Sequence, residues 1–262
     1  MKKLITLVAC SFFFSSVFAQ LTFQPRKLSN TKKGVIYDKE FAAEFRLQTN
    51  GWGMGLQWGD IRTYYLTRFY YVGLGELKHT REFRSNMAGF GTRSYIFGKQ
   101  NNFFQIKGGV GEKRYFTERA DRKGLGVGIS YRVGPTLGLL KPYQLDISSS
   151  EGSSLFGFQT RSIRYTSQNA DEFLDKNRIV GSSGFSSGLD NLSVVAGANA
   201  MVALHLDFGA FEEFVKAVDV GIMLDFFLQP VPVMVESAQL DNVKNRPYFL
   251  NIFVNFQFGK RS

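Results

Sequence analysis

The last part of the chain alternates strictly between apolar and polar residues. From residue 250 to 258 every second side chain is apolar, and three of the four side chains between them are amides. A period of two residues is that of a β-strand, whose successive side chains point to opposite faces. The apolar face carries Leu250, Ile252, Val254, Phe256 and Phe258, and the other face carries Asn251, Phe253, Asn255 and Gln257.

The same alternation recurs in seven further segments. It is clearest at residues 124–134, where apolar residues alternate with Gly, Ser and Arg. Segments of this kind, separated by turn residues, predict strands of one antiparallel sheet. The other segments are 40–49, 52–59, 70–75, 104–111, 202–208 and 218–226. Together with the C-terminal segment they predict eight strands.

The predicted connections differ in length on the two sides of the sheet. The first hairpin is predicted at Asn50-Gly51, a pair typical of tight turns. Short connections are then predicted at 60–63, 117–123 and 209–217, and long ones at 79–101, 141–191 and 229–246. Short turns on one side and long loops on the other are typical of outer-membrane barrels. A strand-like stretch at 155–160 predicts an extra hairpin within the longest loop.

The predicted fold class is therefore all-β: an antiparallel up-and-down transmembrane β-barrel of eight strands, with both termini periplasmic. In this interpretation residues 38–262 form the barrel, and the apolar face of each strand contacts lipid. The alternative is a soluble β-sandwich, in which the apolar faces of two sheets pack against each other. A sandwich does not explain why short and long connections alternate along the chain.

The first twenty residues, MKKLITLVACSFFFSSVFAQ, predict export. Two lysines precede an apolar stretch, and Val17-Phe18-Ala19 is a small-residue cleavage site. We therefore expect a cleaved signal peptide at residues 1–19, followed by a periplasmic segment at 20–37. Residues 7–10 also match a lipobox, which would make Cys10 a lipidated N-terminus, although the apolar stretch before Cys10 is short. Cleavage after Ala19 removes the single cysteine, so no disulfide is expected.

Composition fits strands and does not favour nucleic acid as a partner. The chain has 27 Phe, 11 Tyr and 27 Gly with only 6 Pro, which favours strands joined by tight turns. Its net charge of +10 raises the possibility of a nucleic-acid partner. No Lys/Arg-dense helix or aromatic RNA-binding motif accompanies that charge. We therefore expect no nucleic-acid binding.

The polar faces of the predicted strands place charged side chains inside a narrow lumen. An eight-stranded barrel encloses a space that side chains can fill. Both signs of charge are present, and a buried charge is costly unless it is paired. We therefore expect charged side chains of opposite sign to fill the lumen and neutralise one another, and we expect no open pore. The candidate lumen residues are Glu44, Arg46, Lys107, Arg132, His205, Asp207, Asp219 and Asp225.

No catalytic or metal-binding constellation is evident in the sequence. The only histidines are His79 and His205, and no nucleophile motif accompanies either one. Without a mature cysteine, a zinc site is not expected. His205 is predicted to be a hydrogen-bonded lumen residue, and no cofactor or catalytic residue is expected. The aromatic residues Phe256 and Phe258 of the last strand are predicted to form the signal that barrel-assembly machinery recognises.

Four sequence blocks are distinctive together: TNGWGMGLQWG (49–59), FGKQNNFF (97–104), GPTLGLLKPY (134–143) and QFGKRS (257–262). In these blocks the chain resembles a widespread family of uncharacterised outer-membrane β-barrel proteins from Bacteroidota. The resemblance implies the barrel fold and the outer membrane but no assigned activity. Proteins of this size in that phylum sometimes serve as accessory subunits of larger outer-membrane machines.

The functional hypothesis is a non-enzymatic structural or accessory component of an envelope protein complex. Its expected partners are outer-membrane lipid, the barrel-assembly machinery during insertion, and other outer-membrane proteins. The alternative is a small-solute or lipid-handling barrel, either a narrow channel or a lipid-modifying enzyme that uses His205.

Overall fold

A computed structural model describes residues 37–85, 93–116, 125–154, 157–208, 213–237, 240 and 243–262. The predicted signal peptide at residues 1–19 lies outside the described residues, as does nearly all of the predicted periplasmic segment at 20–37. In the described part of the chain, no helix combines the length and the apolar character that crossing a membrane requires.

The described secondary structure is almost entirely β. The strands are, in chain order, β1 (Lys39–Gln48), β2 (Gly51–Thr63), β3 (Leu66–Leu77), β4 (Arg84–Ser85), β5 (Tyr95–Ile96), β6 (Asn101–Tyr115), β7 (Gly126–Pro142), β8 (Gln144–Ser154), β9 (Gly157–Arg164), β10 (Ile179–Ser182), β11 (Ser193–Asp207), β12 (Phe214–Phe227) and β13 (Tyr248–Arg261). A four-residue helix, α1 (Ala170–Phe173), and a 3₁₀ turn at Leu189–Asn191 complete the elements.

Eight of these strands close into one barrel, in the order β1-β13-β12-β11-β7-β6-β3-β2. Every neighbouring pair is antiparallel, and each strand pairs with the barrel strands before and after it in the chain. β1 and β13 close the ring, with Glu40 opposite Arg261 and Gln48 opposite Phe253. The predicted eight-stranded up-and-down barrel is therefore confirmed.

The strand register gives the barrel its tilt. Lys39 of β1 is paired with Asp60 of β2, and the paired positions can be followed from strand to strand around the barrel. They pass through Arg68, Glu112, Tyr131, Val202, Ile222 and Ile252. After one circuit of the barrel, this row of paired positions returns beside β1 at Thr49, whose N–H donates to Ile252 O over 3.0 Å. Thr49 lies ten residues beyond Lys39, where the row began. A stagger of this size in eight strands corresponds to a tilt of roughly 40°.

The outward face of the barrel is apolar, and the inward face is largely polar. Outward side chains that are exposed include Phe45, Leu56, Val72, Leu204, Ile222 and Leu250. The residues between them point inward and are buried. A single closed sheet with this arrangement has no second sheet to cover its apolar face, so the soluble sandwich is excluded and the barrel is a transmembrane one. We call the end of the barrel that carries the start of β1, the end of β13 and the β2–β3 turn the short-turn end. Most outward charged residues lie near this end, at Lys39, Arg62, Arg68, Arg114, Lys216 and Lys260.

Two predicted turns were misplaced. The β1–β2 turn consists of Thr49 and Asn50, one residue earlier than predicted, and Gly51 follows with φ 148°. A Cβ at Gly51 would overlap the backbone oxygen of Glu76, so glycine is required there. The second turn lies at residues 64–65 and not at 60–63, because β2 continues to Thr63. The polar end of β2 extends past the belt of outward apolar side chains, so its sequence resembles that of a turn.

The long connections fold into a structured cap over one end of the barrel. We define the cap as the described parts of residues 78–100, 143–192 and 228–247. It contains a three-stranded sheet in the order β10-β8-β9 and the short β4–β5 pair. The predicted extra hairpin is present as β8–β9. An isolated bridge between Lys99 and Met234 joins the first and third connections.

Two apolar clusters hold the cap together. The first, which we call the plug, lies over the lumen and consists of Leu77, Phe103, Leu140, Phe227, Val231, Val233, Met234, Val243 and Phe249. The second lies within the cap and consists of Tyr95, Leu145, Ile147, Ile163, Phe173, Leu174, Ile179 and Val235. Burial of these side chains is the main stabilising term for a cap that lies beyond the barrel wall.

Candidate functional site: a paired lumen and an unpaired rim cleft

The lumen near the short-turn end is filled by linked ion pairs. Lys113 Nζ lies 2.7 Å from Glu40 Oε1, and Arg261 Nε lies 2.9 Å from Glu40 Oε2. The same guanidinium reaches Asp207 Oδ2 over 2.6 Å. All four side chains are buried. Because each charge has a partner of opposite sign within hydrogen-bond distance, this layer stabilises the fold.

His205 lies directly above this layer and is fully engaged. Its Nδ1 is 2.5 Å from Asp219 Oδ1, and its Nε2 is 3.2 Å from the Tyr115 hydroxyl. Asp219 also accepts hydrogen bonds from Asn255 over 3.0 Å and from Gln257 over 2.5 Å. No serine or threonine hydroxyl in the described part of the chain contacts either ring nitrogen. The arrangement holds an imidazole in one orientation and offers it no nucleophile to activate.

The middle of the lumen is organised around Glu44. Arg46 donates to its carboxylate, Arg132 Nη1 lies 3.4 Å away, and Asn255 Nδ2 donates to it over 3.0 Å. The Arg132 guanidinium carbon is 3.4 Å from the centre of the Tyr71 ring. One carboxylate therefore compensates two guanidinium groups, with the aromatic face as an additional partner.

The upper lumen ends in one more ion pair and then in apolar packing. Lys107 Nζ is 2.7 Å from Asp225 Oδ1, and both side chains are buried. Above them three rings of the plug pack together. Phe103 lies 5.1 Å from Phe227 and 6.0 Å from Phe249 between ring centroids. Side chains therefore fill the lumen from the short-turn end to the cap.

The charges inside the lumen balance. The structure places the eight lumen candidates named from the sequence on the inward face and buries all of them. Three more inward charged residues, Glu40, Lys113 and Arg261, were not predicted from the sequence. Each lies an even number of residues from another inward residue on the same strand. The buried anions are Glu40, Glu44, Asp207, Asp219 and Asp225, and the buried cations are Arg46, Lys107, Lys113, Arg132 and Arg261. Five of each sign leave no excess charge for a ligand.

The aromatic residues of the terminal strand point away from the lumen. Phe258 is exposed on the outer surface, and Phe256 on the same face is half-buried. They belong to β13, which pairs with β1 and β12 at the seam of the barrel. Their role as an assembly signal remains a prediction.

A second polar region lies outside the lumen, at the upper rim of the barrel. We call it the rim cleft. It has a volume of about 1020 Å³ and lies between the outward faces of the strand ends and the cap. Its barrel side includes Trp52, Glu76 and Phe104, and its cap side includes Arg93 and Phe185. No part of the sequence analysis predicted it.

Two carboxylates line the cleft, and each has a partner of its own. Glu82 Oε2 is 2.8 Å from Lys99 Nζ, and both of these side chains are buried. Glu76 accepts a hydrogen bond from Trp52 Nε1 over 3.1 Å. Four further cations line the cleft, and among the described residues none of them pairs with a carboxylate. They are Lys78, Arg84, Arg93 and Lys141.

Lys141 is the most deeply placed of these four cations. It is only 2% exposed, its Nζ donates to the backbone oxygen of Phe185, and it lies 4.1 Å from the centre of the Phe185 ring. Phe185 itself is exposed and meets Phe104 edge to face at 6.1 Å. A carbonyl and a ring face only partly compensate a buried ammonium group. Lys141 is therefore a buried cation that contacts a carbonyl and an aromatic ring and pairs with no carboxylate among the described residues.

Tyr143 adds no negative charge to the cleft. Burial raises the pKa of its hydroxyl above the ordinary value, and the hydroxyl oxygen accepts a hydrogen bond from the Ile96 N–H over 3.1 Å. The Lys99 ammonium lies 5.8 Å from the ring. At neutral pH the hydroxyl is therefore protonated, and the cleft keeps its positive excess.

Within the described ranges no group of three or more His, Cys, Asp or Glu side chains is arranged to hold a metal ion. The lumen therefore offers paired charges, and the rim cleft offers cations that pair with no carboxylate among the described residues.

These features define a class: a transmembrane β-barrel with a filled lumen and a folded cap. The sequence matches no protein-family model and no curated protein. Solved structures with a similar strand arrangement include Ail, the attachment invasion locus protein of Yersinia pestis. Ail is 10% identical with a TM-score of 0.35, and the match covers 86% of this chain and 95% of Ail.

Two further structures are similar. Ail in complex with the heparin analogue sucrose octasulfate is 11% identical with a TM-score of 0.33, covering 85% of this chain and 94% of that one. Neisserial surface protein A is 9% identical with a TM-score of 0.32, and the match again covers 85% and 94%. The fold assignment made here rests on the strand pairing of this chain itself.

Proposed function

We propose that this protein is a non-conducting, non-enzymatic outer-membrane β-barrel that acts as a structural or accessory component of an envelope protein complex. The observation that carries the proposal is the contrast between its interior and its cap. The interior charges are mutually neutralised and covered by the plug. The surface that can meet a partner is therefore the cap, whose strands and apolar clusters fix its shape.

The outer surface supports a location in the outer membrane. Exposed apolar side chains ring the barrel, and outward basic residues such as Lys39 and Lys260 lie at the short-turn end. Basic side chains near an apolar belt match the phosphates of lipid headgroups. Short turns on the side of both termini support a periplasmic position for that end, with the cap facing outward.

The closed lumen argues against the alternative functions. A channel would need a path past the Glu44 layer, the Lys107–Asp225 pair and the aromatic rings of the plug. A lipid-modifying enzyme that used His205 would need a lipid to reach a side chain that is 1% exposed and faces the lumen. Neither route has a supporting observation in the described part of the chain.

Exposed apolar side chains on the cap support contact with another protein. Phe83 is 72% exposed, and Leu189 is also exposed, although both lie on connections beyond the apolar belt. Large apolar side chains on a surface outside the lipid zone are typical of protein–protein interfaces. We therefore infer that the exposed apolar positions of the cap, Phe83 and Leu189 among them, contact the partner.

A tagged pull-down from native outer membranes in mild detergent tests the proposal. We expect a partner protein in stoichiometric amount, identified by mass spectrometry. We expect its recovery to fall with Phe83→Ser and Leu189→Ser and to be unchanged with the control Lys260→Gln at the opposite end. Planar bilayers containing the purified barrel should show no ion conductance. A chain that purifies alone, or steady conductance, would contradict the proposal.

A further inference from the structure

We propose that the rim cleft binds the phosphate-bearing headgroup of a lipid in the leaflet at the cap end of the barrel. The inference goes beyond the proposed accessory role and does not depend on it. It requires only that the barrel spans a membrane and that the cleft keeps its unpaired cations.

The first argument is the charge of the cleft. Lys78, Arg84, Arg93 and Lys141 line it and pair with no carboxylate in the part of the chain that the structure describes, whereas Glu82 is neutralised by Lys99. Arginine and lysine together are typical of phosphate sites, since the guanidinium group binds two oxygens and the ammonium group supplies a compact charge. An anionic group with several oxygens fits this set, and a neutral headgroup does not.

The second argument is the burial of Lys141. Lys141 as a residue is only 2% exposed, and among the described residues the polar contact of its ammonium group is the Phe185 carbonyl. A buried charge without a counter-charge destabilises the structure unless another group compensates it. A bound anion would supply the missing charge. Lys141 therefore indicates a ligand independently of the net charge of the cleft.

The third argument is the position of the cleft, which selects a lipid over a soluble anion. Glu76 and Phe104 of the cleft wall lie on the outward face of β3 and β6, two residues above Leu74 and Ile106. Leu74 and Ile106 are exposed on the lipid-facing belt. A molecule with its headgroup in the cleft could therefore lay acyl chains on the belt below. Trp52 at the same level is the kind of residue that is enriched at membrane interfaces.

The cleft is also large enough for such a headgroup. Its volume of about 1020 Å³ lies at the upper end of the range for small-molecule sites, about 300–1,000 Å³. A single inorganic phosphate would fill only a small part of it. A headgroup that combines sugar and phosphate would bring oxygens to several of the four cations at once.

The test uses the full chain purified in dodecyl maltoside and native mass spectrometry. The probes are bisphosphorylated lipid A, the same lipid after removal of its phosphates, phosphatidylcholine and inorganic phosphate. We expect one bound bisphosphorylated lipid per chain and at least about tenfold weaker binding of the dephosphorylated lipid, since charged hydrogen bonds in a buried site are worth about that much. Inorganic phosphate should compete only weakly.

Matched variants separate binding from folding. Lys141→Gln should weaken binding by about tenfold through loss of one charged contact. The double variant Arg84→Gln/Arg93→Gln changes exposed side chains only, so it should weaken binding without affecting the fold. The control Lys39→Gln/Lys260→Gln removes two exposed cations at the opposite end and should leave binding unchanged.

Three outcomes would overturn the inference. Equal binding of the phosphorylated and dephosphorylated lipids would show association with the apolar belt alone. Strong competition by inorganic phosphate would identify a site for a soluble anion. Unchanged binding in the Arg84→Gln/Arg93→Gln variant, with its fold intact, would place the lipid elsewhere. The pull-down result is independent of all three, so the accessory role and the lipid site can fail separately.

Discussion

The lumen and the rim cleft contain the same residue types in opposite situations. In the lumen, Arg132 and Lys107 lie against carboxylates, and the charges of each sign are equal in number. In the cleft, Lys141 and Arg93 pair with no carboxylate among the described residues, because Glu82 is paired with Lys99 and Glu76 accepts from Trp52. The lumen is lined by inward strand positions of the barrel, whereas the cleft is lined by outward strand positions together with residues of the cap.

The difference shows how to separate charges that hold a fold from charges that are available to a ligand. A buried ion pair that is complete has no remaining interaction to offer, and its removal damages the structure. An incomplete set is tolerated where a further partner can enter. The two regions therefore differ in how many of their charged side chains have a partner of opposite charge, more than in the number of charges.

The largest expected effect is at the centre of the lumen. Glu44→Gln removes the carboxylate that, among the described residues, pairs with both Arg46 and Arg132. We expect a loss of about 3–5 kcal/mol in the free energy of unfolding, because two buried guanidinium groups lose their counter-charge. Urea unfolding in lipid vesicles, followed by the shift in gel mobility on heating, measures it. Glu76→Gln in the cleft is the matched control, and a comparable loss there would contradict the distinction.

A slightly smaller effect is expected in the plug. Phe227→Ala removes a ring that packs against Phe103 and Phe249, and the cavity should cost about 3 kcal/mol. The ion pair between Lys107 and Asp225 remains below it. Planar-bilayer recordings of the variant should therefore stay flat, and the appearance of ion conductance would show that the plug alone closes the lumen.

A backbone effect of about 1–2 kcal/mol is expected at the β1–β2 turn. Gly51→Ala places a Cβ against the backbone oxygen of Glu76 at a φ of 148°. Gly51 adjoins Trp52, and its Cβ would meet Glu76, and both of these residues line the rim cleft, so the readout is the free energy of unfolding: the urea midpoint should fall. Gly53→Ala, at a position with ordinary φ and more room, should have a smaller effect.

The smallest effect is expected from an exposed pair at the end of β13. Lys260 Nζ lies 2.7 Å from Glu213 Oε1 on the surface, whereas the adjacent Arg261 points inward to Glu40 and Asp207. Lys260→Gln should leave the urea midpoint unchanged, because solvent screens an exposed pair. Arg261→Gln should cost about 3 kcal/mol. Equal losses in the free energy of unfolding for these two substitutions would show that an inward position does not make a charged side chain more important for stability.

The barrel could be predicted from the sequence because its two faces differ in polarity at every second residue. Prediction failed where that difference fades. β11 begins at Ser193, well before the predicted residue 202, because Ala196, Ala198 and Ala200 carry too little apolar surface to show the alternation. β12 begins at Phe214, before the predicted residue 218, because Lys216 on its outer face lies below the apolar belt.

The candidate sites divide in the same way. Lumen residues can be predicted because inward side chains recur at every second position of a strand. Glu44 and Asp225 were predicted in this way, and Glu40 could have been predicted by the same rule. The rim cleft could not be predicted. Its cations Lys78, Arg93 and Lys141 come from three distant segments that only the folded cap brings together. No local pattern distinguishes Lys141 from any other lysine at the end of a strand.

The seam between β1 and β13 has a consequence for the order of folding. Its partners, such as Glu40 and Arg261, lie at opposite ends of the described chain. Contacts of such high sequence separation form late and slowly. Until the seam closes, the Glu40–Arg261 and Glu44–Asn255 contacts cannot form. The last step of folding therefore neutralises part of the interior at the same moment as it removes the two sheet edges, and an assembly factor that accelerated ring closure would act on both.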